Sequence, residues 1–384
     1  MIVGVPKETK TAEQRVAITP VGVRELVDRG HQVVIQKSAG EGSSIHDAEY
    51  EAQGAAIVAA PEEVFGQADL ILKVKEPQPA EVELFQSGQV LFTYLHLAAY
   101  PTVAEGLRKR GIVAIAYETV QLPDRSLPLL APMSEIAGRM ATQVGAYFLE
   151  AAQGGRGILL GGVAGVRPAK VVVIGAGMAG FNAAVIAAGM QAEVIVLDVD
   201  IDKLRHLDSL YAGRIMTLAS NRLTLEEQVL DADLVIGTVL VPGASAPKLV
   251  TEEMVRQMKR GAVLVDVAID QGGCFETSHE TNHENPVYET HGVLHYAVGN
   301  IPGAVPHTST YALTNATLRY LVTLADEGVG PAVAAHPELA LGVNVVGDQV
   351  CHPAVAASLN APYVPPVDAL RGRADRSPDS TRWP

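Results

Sequence analysis

Short β-branched runs recur along this chain, and between most of them apolar residues return at helical spacing. Such alternation predicts parallel sheet with helices packed on its faces. In the first third the predicted strands are MIVGV, HQVVIQ, AAIVAA, ADLILKVK, QVLFTYLHL and GIVAIAYE, with a helix inside PVGVRELVDRG. Gly30 and Gly111 stand where helices should stop before the next strand.

From residue 134 the pattern changes. SEIAGRMATQVGAYFLEAAQ reads as one long helix with Ser134 as its N-cap, and Gly138, Ala141 and Gly145 would let another backbone approach closely. A glycine-rich stretch, GGRGILLGGVAGVRP, leads into a second α/β series with strands near 171–174, 194–197, 233–238, 263–269 and 293–298. After Gly303, HTSTYALTNATLRYLVTLADEG predicts a helix capped by Thr308 or Ser309. The chain is then expected to return to its first domain, so that residues 1–133 and 304–370 enclose an inserted domain, 134–303. The polar, aperiodic stretch 371–384 reads as a disordered tail.

Composition narrows the picture. With 384 residues, 48% of them hydrophobic and 19% charged, the chain suits two globular domains. A net charge of -14 opposes binding to nucleic acid or to an anionic membrane. Residues 171–190 carry no charge and are long enough to span a bilayer, but their order of strand, glycine cluster and alanine-rich helix reads as soluble core. Cys274 and Cys351 lie far apart and outside any C-x-x-C spacing, and MIVGVPKETK, with no basic leader before a long apolar stretch, is not expected to be a signal peptide. A soluble cytoplasmic protein is expected.

The densest local motif is VVVIGAGMAGFNAAVIAAGMQAEVIVLD. Gly175, Gly177 and Gly180 form G-x-G-x-x-G directly after a strand and at the head of a helix. The first glycine permits the tight turn, the second lets backbone amides reach a pyrophosphate, and the third lets helix and strand pack. Asp198 ends the next strand, where a carboxylate binds ribose hydroxyls and repels a 2′-phosphate, so NAD is expected rather than NADP. The inserted domain therefore reads as a Rossmann NAD-binding domain. Val239 and Leu240, after a later strand, would add apolar contacts, and Asp270 closes GAVLVDVAIDQGG at the same edge. In the first domain Arg15, Lys75 and His96 follow strands, where cations can anchor a carboxylate and a histidine can move protons.

One motif points elsewhere. SHETNHENP contains H-E-x-x-H, the zinc-protease spacing, in His279, Glu280 and His283. Glycines before it and Asn285-Pro286 after it leave no room for the helix that a zinc site needs, so a loop without metal is expected, with His279 reaching the cofactor edge.

These residues sit in segments that resemble the alanine dehydrogenase/nicotinamide nucleotide transhydrogenase family. The resemblance runs from GVPKE and RVAITPVGV through ADLILKVKEP, YLHLAA, APMSEIAGRMATQVGA, GAGMAG, ADLVIGTVLVPGASAPKLV and VLVDVAIDQGGC to GNIPGAVPHTSTYALTNATLRY. It covers about residues 1 to 325, and less clearly the segment to about 365, and KTAEQRVA departs from the family's Asn-containing run before the arginine. It implies two doubly wound α/β domains, the Rossmann domain being inserted into a discontinuous substrate domain. The implied activity is reversible NAD-dependent oxidative deamination of L-alanine to pyruvate and ammonium, by a homo-oligomer, a hexamer in this family. By the same resemblance Arg15 and Lys75 would hold the substrate carboxylate, His96 would be the acid/base, Asp270 would orient water or ammonia, and Asn300 would sit beside the reacting centre. Ser134, Met178, Ala179, Asp198, Lys203, Ser220, Val239, Leu240, Val267, Val298 and Ile301 would line the cofactor with the three glycines. Two other functions fit the family: an NAD(H)-binding transhydrogenase subunit, or a dehydrogenase for another small amino acid.

Overall fold

The structure, a computed structural model, describes residues 1–239 and 246–374. The chain divides into two compact units, Met1–Pro132 with Val305–Pro384, and Met133–Ala304.

In the first unit β1 (Ile2–Val5), β2 (Gln32–Gln36), β3 (Ala56–Val58), β4 (Leu70–Leu72), β5 (Val90–Thr93) and β6 (Val113–Ala116) pair in parallel. The second unit contributes β7 (Lys170–Ile174), β8 (Glu193–Asp198), β9 (Ile215–Ala219), β10 (Leu234–Gly237), β11 (Val263–Asp266), β12 (Val287–Thr290) and β13 (Val293–Tyr296). The chain then returns to the first sheet as β14 (Val343–Val346) and β15 (Gln349–Val350), both antiparallel to their neighbours.

The two sheets share one winding rule. The first runs β15-β14-β6-β5-β4-β1-β2-β3, and the second β12-β13-β11-β10-β7-β8-β9. In each, the chain leaves a central strand in one direction and later reverses to that strand's other side. Connections diverge there, opening a crevice at the carboxyl ends of β1 and β4 in one unit and of β7 and β10 in the other. Apolar faces explain the layers: Phe65, Ile71, Leu91 and Leu107 belong to one buried cluster, and Ile174, Val235, Leu264 and Phe275 to another.

Local differences from the sequence pattern have physical causes. The long helix starts at Ala131, so Ser134 lies inside its first turn rather than capping it. Helix Pro306–Glu327 likewise starts before Thr308 and Ser309. Both starts carry a proline, whose missing N–H costs nothing where no intrahelical partner exists. Strands β9, β12, β14 and β15 add to those the pattern predicts. Residues 171–190 divide between β7 and helix Met178–Gly189, and no helix among the described residues is long and apolar enough to cross a membrane. Residues 371–374 finish helix Pro366–Ala374, and the rest of the expected tail lies outside the described residues.

Candidate active-site residues

In the second unit the glycine turn joins β7 to helix Met178–Gly189. Gly175 has φ +104, a left-handed backbone, and a Cβ on Gly180 would stand 1.8 Å from the Gly175 carbonyl oxygen. Those two glycines are needed by the protein's own packing. Gly177 differs, because a Cβ there would meet nothing within 4 Å. It is also the helix N-cap and offers no side chain to the first amides, the arrangement that suits a helix N-terminus to an anion.

Asp198, at the end of β8, is buried and accepts the Ala176 N–H at 2.6 Å and the Asp200 N–H at 2.8 Å. It thus ties the glycine turn to the neighbouring strand end. The Ser220 N–H bonds the Asp198 carbonyl at 2.9 Å, which brings the residue after β9 to the same edge. Lys203 is turned towards Asp200, 3.7 Å away, so its charge is partly neutralised. Met178 and Ala179 open the helix, and a Cβ on Gly138 would fall 2.0 Å from the Ala179 carbonyl oxygen. Helix Ala131–Phe148 therefore crosses the glycine turn one turn after Ser134.

Other strand ends follow the same rule. The hydroxyl of Thr238, which sequence reasoning missed, donates to the carbonyls of Ile174 and Gly175 at the β7/β10 crevice. Val239 comes next, and Leu240 lies outside the described residues. The Val267 N–H bonds the Gly237 carbonyl at 2.9 Å, and Asp270 is the exposed residue of the turn Ile269–Gln271. Val298 and Ile301 are buried on either side of Asn300, whose φ is +61. Asp266, also unforeseen, is buried at the end of β11 and accepts the Cys274 N–H at 2.9 Å. Burial pushes its carboxyl above the ordinary range, against the pull of the Cys274 and Phe275 amides.

Residues 278–286 are not helical, as the bracketing glycines and proline required, and Thr281 pairs with Val298. His279 is stacked on Tyr288 with ring centroids 3.6 Å apart. No three His, Cys, Asp or Glu side chains among the described residues converge as a metal site.

In the first unit Arg15 is buried and gripped by Glu13: Nε donates to Oε1 at 2.7 Å, Nη2 to Oε2 at 2.5 Å, and the main-chain N–H to Oε1 at 3.0 Å. Burial disfavours the guanidinium charge, and Glu13 more than offsets that penalty, so the group's pKa is raised. Arg15 lines an open cavity of about 400 Å³ together with Lys7, Glu8, Glu13, Ser38 and Glu41. Lys75 is buried just beyond β4, and its carbonyl accepts the Thr93 hydroxyl at 3.0 Å. That contact sets Lys75 beside the end of β5, which leads into His96.

His96 has φ +47 and is held by Glu118, which accepts its N–H at 2.6 Å. The Tyr94 ring lies parallel to the imidazole, with centroids 6.1 Å apart. Burial drives the Tyr94 hydroxyl far above its usual pKa; the Arg15 charge opposes the shift and Glu118 adds to it, so one phenol senses both groups. Beneath them Lys73 is fully buried, donating to Glu8 at 3.1 Å and to Glu81 at 2.8 Å. Glu8 and Glu13 had no periodic signal, and Tyr94 and Glu118 lay within predicted strands without being singled out; all four follow strands of the first sheet.

Comparison with known proteins decides the family. Residues 4–137 match the alanine dehydrogenase/PNT N-terminal domain, and residues 141–353 match the C-terminal domain. The chain belongs to the alanine dehydrogenase/PNT family.

Relatives in this family are similar over nearly the whole chain. Alanine dehydrogenase of Methanococcus maripaludis is 56% identical over 96% of this chain and 100% of its own length. That of Bacillus subtilis is 53% identical over 97% and 98%. A solved L-alanine dehydrogenase structure superposes with a TM-score of 0.91 at 50% identity, covering 94% of this chain and 99% of its own. A transhydrogenase from Sinorhizobium meliloti reaches a TM-score of 0.79 at 29% identity, over 92% and 100%. The family's C-terminal match runs on to residue 353, past β13 and through β14 and β15.

Proposed function

We propose that this chain is an L-alanine dehydrogenase, in which L-alanine, NAD and water give pyruvate, ammonium, NADH and a proton, reversibly. The observation that carries the reading is the presence in one chain of an open glycine turn at Gly177 and, in the first unit, of buried cations, Arg15 and Lys75, with His96 beyond a strand end. A module that only exchanged hydride with another bound nucleotide would need the turn and not the cations.

The residue roles follow from charge and position. Arg15 and Lys75 bind the alanine carboxylate and so orient Cα–H, a positional contribution to rate. When bound, NAD supplies the hydride acceptor. His96 takes a proton as water adds to the substrate iminium and returns one to the departing ammonia. Asp270 stabilises the cationic amine and iminium, and Asn300 stands beside the reacting carbon. Gly175, Gly177 and Gly180 form the pyrophosphate turn, with Met178 and Ala179 opening the helix whose amides meet the phosphates. Asp198 binds the adenosine ribose, and Ser134, Lys203, Ser220, Val239, Leu240, Val267, Val298 and Ile301 complete the cofactor lining. In this reading residues 134–303 are the NAD-binding domain, and 1–133 with 304–370 the substrate domain.

A cytoplasmic homohexamer serving alanine catabolism is the matching assembly and setting, supported by the family. Exposed Leu159, Val163 and Val166 offer apolar surface for association. Light scattering after size exclusion tests the assembly. The activity test is NADH formation by the purified protein alone, with alanine, glycine and serine compared on NAD and NADP. Alanine with NAD should give the highest kcat/KM, and no NADH with any of the three would refute the assignment.

A further inference from the structure

The H-E-x-x-H stretch, which the proposed reaction does not use, is built against the strand extension that carries Asn300. The Thr281 N–H bonds the Ala297 carbonyl at 2.8 Å, and the Gly299 N–H bonds the Thr281 carbonyl at 3.2 Å. One step further, His283 Nε2 lies 3.2 Å from the Asn300 carbonyl oxygen. A carbonyl only accepts, so Nε2 carries the proton in this bond. The Gly303 N–H reaches the same oxygen at 2.9 Å, which fixes the Asn300 peptide from two directions.

Both neighbours of that peptide are crowded. A Cβ on Gly299 would fall 2.2 Å from Glu280 Oε1 and 3.1 Å from Asp270 Oδ1, so the loop and the Asp270 turn close on one backbone atom. A Cβ on Gly303 would fall 2.7 Å from Asn300 Nδ2. Between them Asn300 holds φ +61, a left-handed conformation uncommon for residues with a side chain, although Asn enters it more readily than most.

The loop is itself braced. Asn282 Oδ1 accepts the N–H groups of Glu284 and Asn285 at 3.0 and 2.9 Å, and the Thr281 hydroxyl donates to the Pro286 carbonyl at 3.0 Å. The Tyr288 hydroxyl donates to the Thr277 carbonyl at 2.8 Å and accepts the His279 N–H at 2.9 Å. Each member of the motif therefore has structural work: His279 stacks on Tyr288, Glu280 abuts Gly299, and His283 bonds Asn300.

We propose that residues 278–286 form a clasp that locks Asn300 in its left-handed backbone, with His283 as its positioning residue. The inference rests on the role of Asn300 proposed above. His283 acts through the Asn300 peptide and needs no contact with substrate.

The test uses the full-length protein with L-alanine and NAD, and four forms: His283→Ala, His283→Gln, Asn300→Ala and the double variant His283→Ala/Asn300→Ala. His283→Ala should lower kcat about five- to tenfold while the melting temperature stays within a few degrees of the wild-type value. His283→Gln, whose amide can donate to the same carbonyl, should recover most of the loss. The double variant should be no slower than Asn300→Ala, because both changes remove one arrangement. Amide exchange at 297–303 should quicken in His283→Ala and not in Glu284→Ala. Wild-type turnover in His283→Ala, or multiplying losses in the double variant, would overturn the clasp. Wild-type protein that makes no NADH from alanine would instead defeat the functional reading, and the exchange measurement would then decide the clasp alone.

Discussion

Glu118 and His96 are joined twice: the carboxylate accepts the His96 main-chain N–H at 2.6 Å, and its Oε1 lies 3.7 Å from Nδ1. The Leu95 N–H also reaches it, at 3.2 Å. One acid thus fixes a left-handed backbone and stands beside the ring that backbone presents. Glu118→Ala should lower kcat for alanine by roughly tenfold to a hundredfold, with NAD affinity within about twofold of wild type. Steady-state kinetics with a fluorescence titration of NADH checks both. Unchanged kcat would remove Glu118 from the catalytic arrangement.

The glycine turn permits a cleaner separation of folding from binding. Gly180→Ala places a methyl 1.8 Å from a backbone oxygen and should destabilise the fold by about 2 kcal/mol or more. Gly177→Ala meets nothing within 4 Å and should melt within a few degrees of wild type, yet bind NADH at least about tenfold more weakly. Calorimetry and a binding isotherm decide. Normal NADH affinity in Gly177→Ala would show that no pyrophosphate approaches there.

The buried group beneath the candidate substrate residues should be costly to disturb. Lys73 lies between Glu8 and Glu81, and Glu8 also accepts the Val74 N–H at 2.6 Å. Lys73→Met leaves two buried carboxylates without their cation, an expected loss of about 3–5 kcal/mol. Urea unfolding measures it, and a loss below about 1 kcal/mol would show that water reaches the site.

His295 should make the fold acid-sensitive. Nδ1 faces the Val293 carbonyl at 3.0 Å and Nε2 lies 2.7 Å from the Thr277 hydroxyl, an arrangement suited to the neutral ring. Burial pushes its pKa from 6.5 down to about 4. The unfolded chain therefore takes up this proton first, so the contribution is complete above 6.5 and is lost as pH falls towards 4. The loss amounts to roughly 3 kcal/mol across that window. His295→Gln should show a shallower fall in melting temperature between neutral and acid pH; a fall as steep as wild type would assign the sensitivity elsewhere.

How legible all this was in the sequence depended on how local each signal is. The turn at Gly175–Gly180 could be read because strand, glycines and helix follow one another directly, and Asp198 because it ends the next strand. His96 and Lys75 were visible as polar residues closing apolar runs. Glu118 closes the run GIVAIAYE in the same way, whereas Glu13 and Glu8 are acids in loops, and only the adjacency of β1, β4, β5 and β6 places the three beside Arg15, His96 and Lys73. Helix starts were misplaced where Ser134, Thr308 and Ser309 looked like caps, because Pro132 and Pro306 set the first turn earlier. Strand β9 reads IMTLA and is partly exposed, and β14 reads VNVV, too short to stand out between helices.

The return of β14 to the first sheet has a consequence for biosynthesis. Strand β6 is wholly buried, yet one of its two hydrogen-bonding edges is covered only by Val343–Val346, residues the ribosome adds more than two hundred positions later. The inserted unit is contiguous and can fold as it emerges, while the unit translated first waits with an open edge for its final strands. Nascent chains stalled before residue 343 should therefore recruit chaperones through that edge, and release it once β14 is in place.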